Sequence, residues 1–240
     1  MFPRIFGIPG YGLCIAIGLI TSLYVAEYRT EKAGLNKDYI IDIALVALIS
    51  CFTGAKLLYL LLNLDDFMMH PIELLSSGGF VVYGGIIAGF IGEYFYFKHK
   101  NLPYLPYLNL LLPQMALCQF FGRLGCFCAG CCYGIPMSNG VIFPQGSLAP
   151  TGVALLPVQL ICAALDLLLF FFLISIYKKY PSSIVIHYLA CYSMGRFIIE
   201  FFRGDNPRIY FGFTIAQVIS IVILSVICTF LITKKFSKGL

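Results

Sequence analysis

The sequence predicts an all-α integral membrane protein, a bundle of seven transmembrane helices. Of its 240 residues, 60% are hydrophobic and only 11% are charged, and the mean hydropathy is +0.91. This composition is too apolar for a soluble domain of that length. Apolar runs of about 20 residues, enough to cross a bilayer as helix, recur along the whole chain. A single cleaved signal peptide does not explain them, and no alternating pattern indicates a β-barrel.

The seven predicted spans cover most of the chain. They are Tyr11–Ala26, Tyr39–Leu62, Gly79–Phe97, Leu105–Phe121, Leu155–Tyr177, Ser183–Phe202 and Phe211–Thr233. We expect one membrane-embedded domain over residues 1–240. The connection at about 135–154 is rich in proline and glycine, which predicts a turn-rich outer loop and neither a helix nor a separate domain.

Basic residues occur in alternate connections, which predicts the orientation of the bundle. Four connections hold ten of the sixteen Lys and Arg residues: Arg29, Lys32, Lys37, Lys98, Lys100, Lys178, Lys179, Lys234, Lys235 and Lys238. The positive-inside rule makes these connections cytoplasmic, with the N-terminus outside and the C-terminus inside. Because the lysines are scattered between apolar runs, the net charge of +5 does not indicate nucleic-acid binding.

Arginine dominates the basic residues that remain. Arg4, Arg123, Arg203 and Arg208 fall on the predicted outer side, whereas Lys56 and Arg196 lie within spans two and six. The planar guanidinium group suits bidentate binding of phosphate. The asymmetry therefore predicts an anionic ligand on the outer side.

Span six places charged residues on one helical face. Arg196, Glu200 and Arg203 are spaced i, i+4, i+7, so their side chains share a face. Ionised residues inside a membrane usually face the bundle interior or a wet cavity. One interpretation is an Arg196–Glu200 pair that only fixes helix packing; the other is a ligand site.

Span three contributes glycine pairs and a tyrosine. Gly78, Gly79, Gly84 and Gly85 surround Tyr83, and such glycines allow either a helix or a ligand to approach the backbone closely. Two further polar residues lie in apolar runs. Asp166 in span five and Gln217 in span seven could each join a polar network, and for Asp166 a buried structural hydrogen bond is the expected role.

The stretch 122–134, GRLGCFCAGCCYG, follows the fourth apolar run. Gly122 and Gly125 flank Arg123, and cysteines follow at Cys126, Cys128, Cys131 and Cys132. The C-x-x-C spacing is typical of disulfides and of metal ligands. A Cys128–Cys131 or Cys126–Cys131 disulfide, a metal site and simple packing all remain open.

These residues together resemble the prolipoprotein diacylglyceryl transferase family over nearly the whole chain. The elements that carry the resemblance are Tyr11-Gly12-Leu13, Gly54-Ala55-Lys56, the glycine pairs around Tyr83, Gly122-Arg123-Leu124-Gly125, Pro157, Gln159, Arg196-Phe197, Glu200-Phe201, Arg203, Gln217 and Ser220. The chain departs from the family pattern at three places. Tyr83 stands where the family has histidine, Cys126 and Cys131 replace asparagine and glutamate, and Lys56 usually corresponds to arginine.

The resemblance implies transfer of diacylglycerol from phosphatidylglycerol to the lipobox cysteine of a prolipoprotein signal peptide, with glycerol phosphate released. It implies a multi-pass protein of the bacterial cytoplasmic membrane with its site in the outer leaflet. The residues assigned to catalysis are Tyr83, Arg123, Arg196, Glu200 and Arg203. Those assigned to substrate binding are Tyr11, Lys56, Gly84, Gly85, Gly125, Gly134 and Gln217.

No cofactor, resident metal or nucleic-acid partner is expected. Two functions from other classes remain as alternatives. One is a thiol-disulfide redox enzyme that uses the four cysteines between Cys126 and Cys132. The other is a non-catalytic protein that binds or transports anionic lipid with the same arginine face.

Overall fold

The computed structural model describes residues 4, 5, 7–209 and 211–237, so Lys238, one of the lysines predicted to be cytoplasmic, lies outside the described residues. The helices are α1 (Gly10–Lys32), α2 (Tyr39–Leu62), α3 (Leu64–Met69), α4 (Pro71–Ser76), α5 (Val82–His99), α6 (Tyr104–Ala129), α7 (Val158–Tyr177), α8 (Ile184–Ile199) and α9 (Ile215–Ser237). Short 3₁₀ helices at Pro181–Ser183 and Glu200–Phe202 precede and follow α8. The strands are β1 (Arg4–Ile5), β2 (Ile8–Pro9), β3 (Pro136–Ile142) and β4 (Ala154–Leu155).

Six helical segments among the described residues are long and apolar enough to cross a membrane. They correspond to six of the seven predicted spans, which confirms a helical membrane protein. The remaining predicted span is α5, which has 18 residues and includes Glu93 and Lys98. These charges lower the mean hydropathy of α5, so the count of seven spans stays a prediction. The orientation of the termini also stays a prediction.

The contacts divide the chain into two compact units, residues 1–26 with 108–240 and residues 27–107. In the first unit, a core of apolar side chains joins α6, α7 and α8. Its buried members are Leu112, Ala116, Leu117, Leu169, Phe170, Leu173, Ile184 and Tyr188. Helix α1 packs on α6 where the Phe121 ring occupies the space that a side chain at Gly18 would need.

In the second unit, α2 and α5 pack closely through glycines. A Cβ atom at Gly85 would lie 2.8 Å from the Cys51 carbonyl oxygen. Gly54 and Gly84 face each other with similarly little space for a side chain. Small residues of this kind let membrane helices approach backbone to backbone, so these glycines serve helix packing.

The predicted end of span four at Phe121 is wrong, because α6 continues for two more turns to Ala129. Gly125 is helical, and a Cβ atom there would lie 3.1 Å from Tyr11 Cδ2. This glycine therefore makes room for α1 and does not break the helix. Gly130, with φ 74°, ends α6 in a left-handed C-terminal cap of the kind glycine favours.

The predicted outer loop is not helical, but it contains regular structure. Strand β3 pairs antiparallel with β4, and Phe143, Ala149 and Leu155 form a small buried cluster beneath this pair. The turn residues of the segment indicated a loop, and they obscured the seven-residue strand 136–142.

Candidate active site

A cavity of about 250 Å³ lies between α7 and α8 at the C-terminal end of α6. Its charged lining groups are Arg123, Asp166 and Arg196. The rest of the wall is mostly apolar, and Leu168 and Phe172 on α7 are exposed at its rim. The cavity therefore combines two guanidinium groups with a surface suited to hydrocarbon.

Glu200 lies one helical turn after Arg196 and contacts its side chain. Arg196 Nη2 lies 2.8 Å from Glu200 Oε2 in an ion pair, and Glu200 is only 1% exposed. Asn206 Nδ2 donates a hydrogen bond to Glu200 Oε1. The carboxylate thus has an ion-pair partner at Oε2 and a hydrogen-bond donor at Oε1, although Oε2 makes no hydrogen bond to a described residue. These contacts orient the arginine.

The Nη1 atom of Arg196 is not used by this ion pair. Arg196 Nη1 is buried and has no hydrogen-bond acceptor among the described residues. A buried guanidinium nitrogen without an acceptor carries an uncompensated desolvation cost of about 1–3 kcal/mol or more. An anionic ligand in the cavity would satisfy it.

Arg123 reaches the same cavity from α6. Its Nε atom lies 3.9 Å from Asp166 Oδ2, and the two side chains are 19% and 8% exposed. At this distance the pair is an ion pair and not a direct hydrogen bond, so the donors of Arg123 are not saturated by Asp166.

Arg203 is placed differently and does not line the cavity. Its Nε and Nη2 atoms donate to the two carboxylate oxygens of Asp205 at 2.9 and 2.7 Å. Burial disfavours the charged form, but these hydrogen bonds raise the pKa of the Arg203 guanidinium above its ordinary value. Arg203 therefore stays positively charged, already engaged in a bidentate pair.

Backbone hydrogen bonds connect the residues after α6 with those after α8. Gly134 pairs with Arg203 in an antiparallel bridge, Gly204 N donates to Tyr133 O at 3.0 Å, and Ile135 N donates to Phe202 O at 3.0 Å. A Cβ atom at Gly134 would lie 2.5 Å from the Leu156 carbonyl oxygen. Glycine is required there because three backbone segments meet.

Three of the four clustered cysteines come together at this junction. The sulfur atoms of Cys126, Cys131 and Cys132 lie within 4.8 Å of one another, and we call this group the thiol trio. Hydrogen bonding with the Cys126 and Cys131 thiols lowers the pKa of the Cys132 thiol; burial opposes the shift, and Arg203 and Arg123 add to it. The Cys128 thiol instead contacts Cys14 of α1. Each of the ten cysteines, all of which are described, is a free thiol.

Comparison with known proteins identifies the family. The sequence model of the prolipoprotein diacylglyceryl transferase family matches residues 2–233. The chain belongs to this family.

Individual relatives agree over most of the chain. A phosphatidylglycerol--prolipoprotein diacylglyceryl transferase of Clostridium tetani is 42% identical over 204 residues, which cover 83% of this chain and 82% of the relative. A protein of Clostridium perfringens with the same name followed by "2" is 36% identical over 230 residues, 92% of this chain and 90% of the relative. One of Streptococcus uberis is 28% identical over 244 residues, 98% and 94% of the two chains.

In this member of the transferase family, the predicted site residues separate into groups. Arg123 and Arg196 share the cavity, and Glu200 supports Arg196. Arg203 and Gly134 meet at the backbone bridge.

The remaining predicted residues of this unit make packing contacts. Tyr11 packs on Gly125 at the end of α6. Gln217 Nε2 donates to Phe197 O at 3.3 Å and thereby connects α9 with α8. Their roles toward a substrate stay predictions.

Four predicted residues belong to the unit 27–107. Lys56 Nζ donates to the carbonyl oxygens of Leu74 and Ser77 at 2.7 and 2.8 Å, with Ser77 Oγ and Gly79 O within 3.4 Å. These acceptors can use all three of its protons, so Lys56 anchors the segment 74–79. Gly84 and Gly85 pack against α2, and Tyr83 lies in the first turn of α5.

Sequence reasoning missed three polar partners. Asp166 was expected to make a structural hydrogen bond or to join a polar network, but its place in the cavity beside Arg123 was not predicted. Asp205 and Asn206 were not singled out, although they follow Arg203 directly and complete the pairs of Arg203 and Glu200. The signal was the run Arg-Gly-Asp-Asn, which places short polar side chains at a turn next to a charged helix end.

Proposed function

We propose that this chain transfers the diacylglyceryl group of phosphatidylglycerol to the lipobox cysteine thiol of a prolipoprotein signal peptide. The family match over residues 2–233 and the names of the relatives support this function. The observation that carries it is the pair of guanidinium groups, Arg123 and Arg196, that line one cavity, with Arg196 Nη1 buried and without an acceptor among the described residues. None of the named relatives supports a redox or a binding-only role.

The cavity walls suit a lipid that has both a charged headgroup and acyl chains. Leu165, Leu168 and Phe172 line the cavity from α7 and are exposed on that helix. Inside a bilayer, such exposed apolar side chains face hydrocarbon. The phosphate would bind at Arg123 and Arg196 while the acyl chains leave past these apolar side chains into the membrane.

The reaction is a nucleophilic displacement at the glyceryl carbon that bears the phosphate. The thiol sulfur forms a bond to this carbon, the carbon–oxygen bond to phosphate breaks, and glycerol phosphate leaves with the electron pair. The thiol proton passes to water before or during the attack, because the thiolate is the reactive nucleophile. Fixed guanidinium donors around the phosphate stabilise the charge that builds up on the leaving group.

The arrangement in the membrane completes the proposal. Seven spans, including α5, with the N-terminus outside put the C-terminal end of α6 and the end of α8 in the outer leaflet of the bacterial cytoplasmic membrane. The supporting observation is the alternation of basic connections along the chain, as the positive-inside rule requires. Reporter fusions at the 33–38 and 143–153 connections should report opposite sides of the membrane; the same side for both would contradict this topology.

The function is tested with purified protein, phosphatidylglycerol vesicles and a lipobox peptide. We expect diacylglyceryl peptide and an equal amount of glycerol phosphate, and a peptide with serine in place of cysteine should give neither product. Arg196→Ala should lower turnover by about 10²-fold or more, as for removal of a transition-state donor. Arg208→Ala is the matched control, because exposed Arg208 does not line the cavity and donates to Phe201 O at 3.2 Å; it should retain near wild-type turnover. A stable protein that binds lipid but forms no product would refute the function.

A further inference from the structure

We propose that the thiol trio of Cys126, Cys131 and Cys132 is a binding site for a thiophilic divalent cation of the zinc class, and that its open coordination position takes the acceptor thiol. The second half of this inference rests on the proposed function. The first half stands on the placement of the three sulfur atoms alone.

The end of α6 explains how Cys126 and Cys131 meet. Gly130 takes a left-handed conformation, Gly130 N donates to Phe127 O at 3.2 Å, and Cys131 N donates to Cys126 O at 3.2 Å. These two hydrogen bonds form a Schellman motif, in which the second residue after the helix folds back over its last turn. The chain reversal therefore returns Cys131 to the side of Cys126.

A second backbone feature adds Cys132. In an extended chain, neighbouring side chains point to opposite sides, so Cys131 and Cys132 would not face the same centre. Cys132 has φ 58°, a left-handed conformation that non-glycine residues adopt rarely and at a cost. This turn brings the sulfur of Cys132 to the other two.

The surroundings hold the trio in place. Gln159, 1% exposed on α7, donates from Nε2 to Cys131 O at 2.8 Å. The bridge between Gly134 and Arg203 fixes the chain just after Cys132. Three half-buried thiols on a fixed backbone are a preorganised ligand set, and none of them is used by the arginine cavity.

The geometry fits a tetrahedral cation. Zinc–sulfur bonds of about 2.3 Å put the sulfur atoms of a tetrahedral site about 3.8 Å apart. The three sulfur atoms already lie within 4.8 Å of one another, so side-chain rotation closes the remaining gap. Three thiolates and a divalent cation leave one net negative charge. The guanidinium groups of Arg203 and Arg123, each also paired with an aspartate, lie close enough to Cys132 to attract this charge.

Three protein ligands leave one of the four positions open, as in catalytic rather than structural zinc sites. A thiol that binds there loses its proton and becomes a thiolate. In the proposed reaction this thiolate sulfur would attack the glyceryl carbon, and glycerol phosphate would leave with the electron pair of the broken carbon–oxygen bond. The thioether formed is a neutral, weak ligand and would leave the cation free for the next acceptor.

Cobalt(II) tests the site directly, because its thiolate complexes absorb in the near-ultraviolet and visible ranges. Reduced, metal-free protein should bind one Co²⁺ with thiolate charge-transfer bands, and Zn²⁺ should displace it. Cys126→Ser, Cys131→Ser and Cys132→Ser should each weaken binding at least tenfold. Cys128→Ser is the matched control, because Cys128 is on the same helix but contacts Cys14; its binding should be unchanged.

A measurement on the unaltered chain covers the case in which a serine variant does not fold. Zn²⁺ should protect Cys126, Cys131 and Cys132 from alkylation and leave Cys128 reactive, as mapped by mass spectrometry. Absence of cobalt bands in the reduced protein, bands that persist in the Cys126/Cys131/Cys132 triple serine variant, or equal alkylation with and without Zn²⁺ would each overturn the site.

The role of the cation is tested separately. A lipobox peptide should strengthen the cobalt charge-transfer band by adding a fourth thiolate, and the serine peptide should not. Removal of metal should lower turnover at least tenfold, and Zn²⁺ should restore it. Full turnover by metal-free protein would overturn the acceptor role while leaving the transferase function intact. No product under any metal condition, with the cobalt bands present, would instead overturn the proposed function and leave the metal site standing.

Discussion

Arg196 Nη2 lies 2.8 Å from Glu200 Oε2, one turn along the same helical segment, and Glu200 is almost completely buried. The structure therefore shows the ion pair that the i, i+4 spacing predicted, and the ligand site stays a prediction. Arg196 lines the cavity, and its Nη1 atom is buried without an acceptor among the described residues.

Glu200→Gln should damage both stability and turnover. The substitution keeps the shape and leaves an oxygen for Asn206, but it removes the charge that balances buried Arg196. Breaking a buried ion pair in this way costs about 3–5 kcal/mol, so the melting temperature should fall and kcat should fall with it. Glu31→Gln is the control, because Glu31 pairs with Lys37 at the surface. An unchanged melting temperature for Glu200→Gln would show that the pair contributes little.

Asp166→Asn should lower kcat more than it changes KM for phosphatidylglycerol. Asp166 limits the orientations of Arg123 across a 3.9 Å gap, and a misplaced transition-state donor costs roughly 10- to 100-fold in rate. Steady-state kinetics with Asp65→Asn, an exposed acid on α3, as control would measure this. A wild-type kcat would return Asp166 to the purely structural role expected from sequence.

Gly134→Ala should destabilise the junction between the ends of α6 and α8. The added Cβ would lie 2.5 Å from Leu156 O and 2.6 Å from Val158 Cγ2, and the backbone must shift to relieve this contact, at a cost of about 1–3 kcal/mol. Gly12→Ala is the control, because a Cβ there meets nothing within 4 Å. Thermal unfolding in detergent should separate the two variants, and equal melting temperatures would contradict the packing argument.

Lys56→Met distinguishes anchoring from substrate binding. If Lys56 anchors the segment 74–79 through its carbonyl contacts, the variant should speed amide hydrogen exchange in this segment. A purely substrate-binding lysine would instead raise KM for phosphatidylglycerol and leave the exchange rates unchanged. We expect the faster exchange.

Hydrophobicity predicted most of the helices because the length of an apolar run reports directly on a membrane span. Tyr39–Leu62 was predicted with the bounds that α2 has. The end of α6 was not, because the predicted span followed the apolar run, which ends at Phe121, whereas the helix continues through Gly125, which accommodates Tyr11. That contact links residues more than 100 positions apart, and local sequence does not encode it.

The arginines of the site were predictable from charge patterning, but only one of their partners was. Glu200 shares a helical face with Arg196, so spacing alone revealed the pair. Asp166 reaches Arg123 from another helix, which requires the tertiary fold. The predicted end of span four at Phe121 left the cysteines outside the helix. Two helical residues that are two positions apart lie about 200° apart around the helix axis. Cys126 and Cys128 therefore had to face different neighbours.

The backbone bridges between residues 133–135 and 202–204 have a mechanical consequence. They fasten the ends of two arginine-bearing helices by main-chain hydrogen bonds, so bilayer stretching or thinning cannot pull these ends apart without breaking them. The described side chains in the C-terminal half of α9, residues 226–234, are mostly exposed. We therefore expect lipids of different chain length to change the tilt of α9 first, while the spacing of Arg123 and Arg196 stays constant.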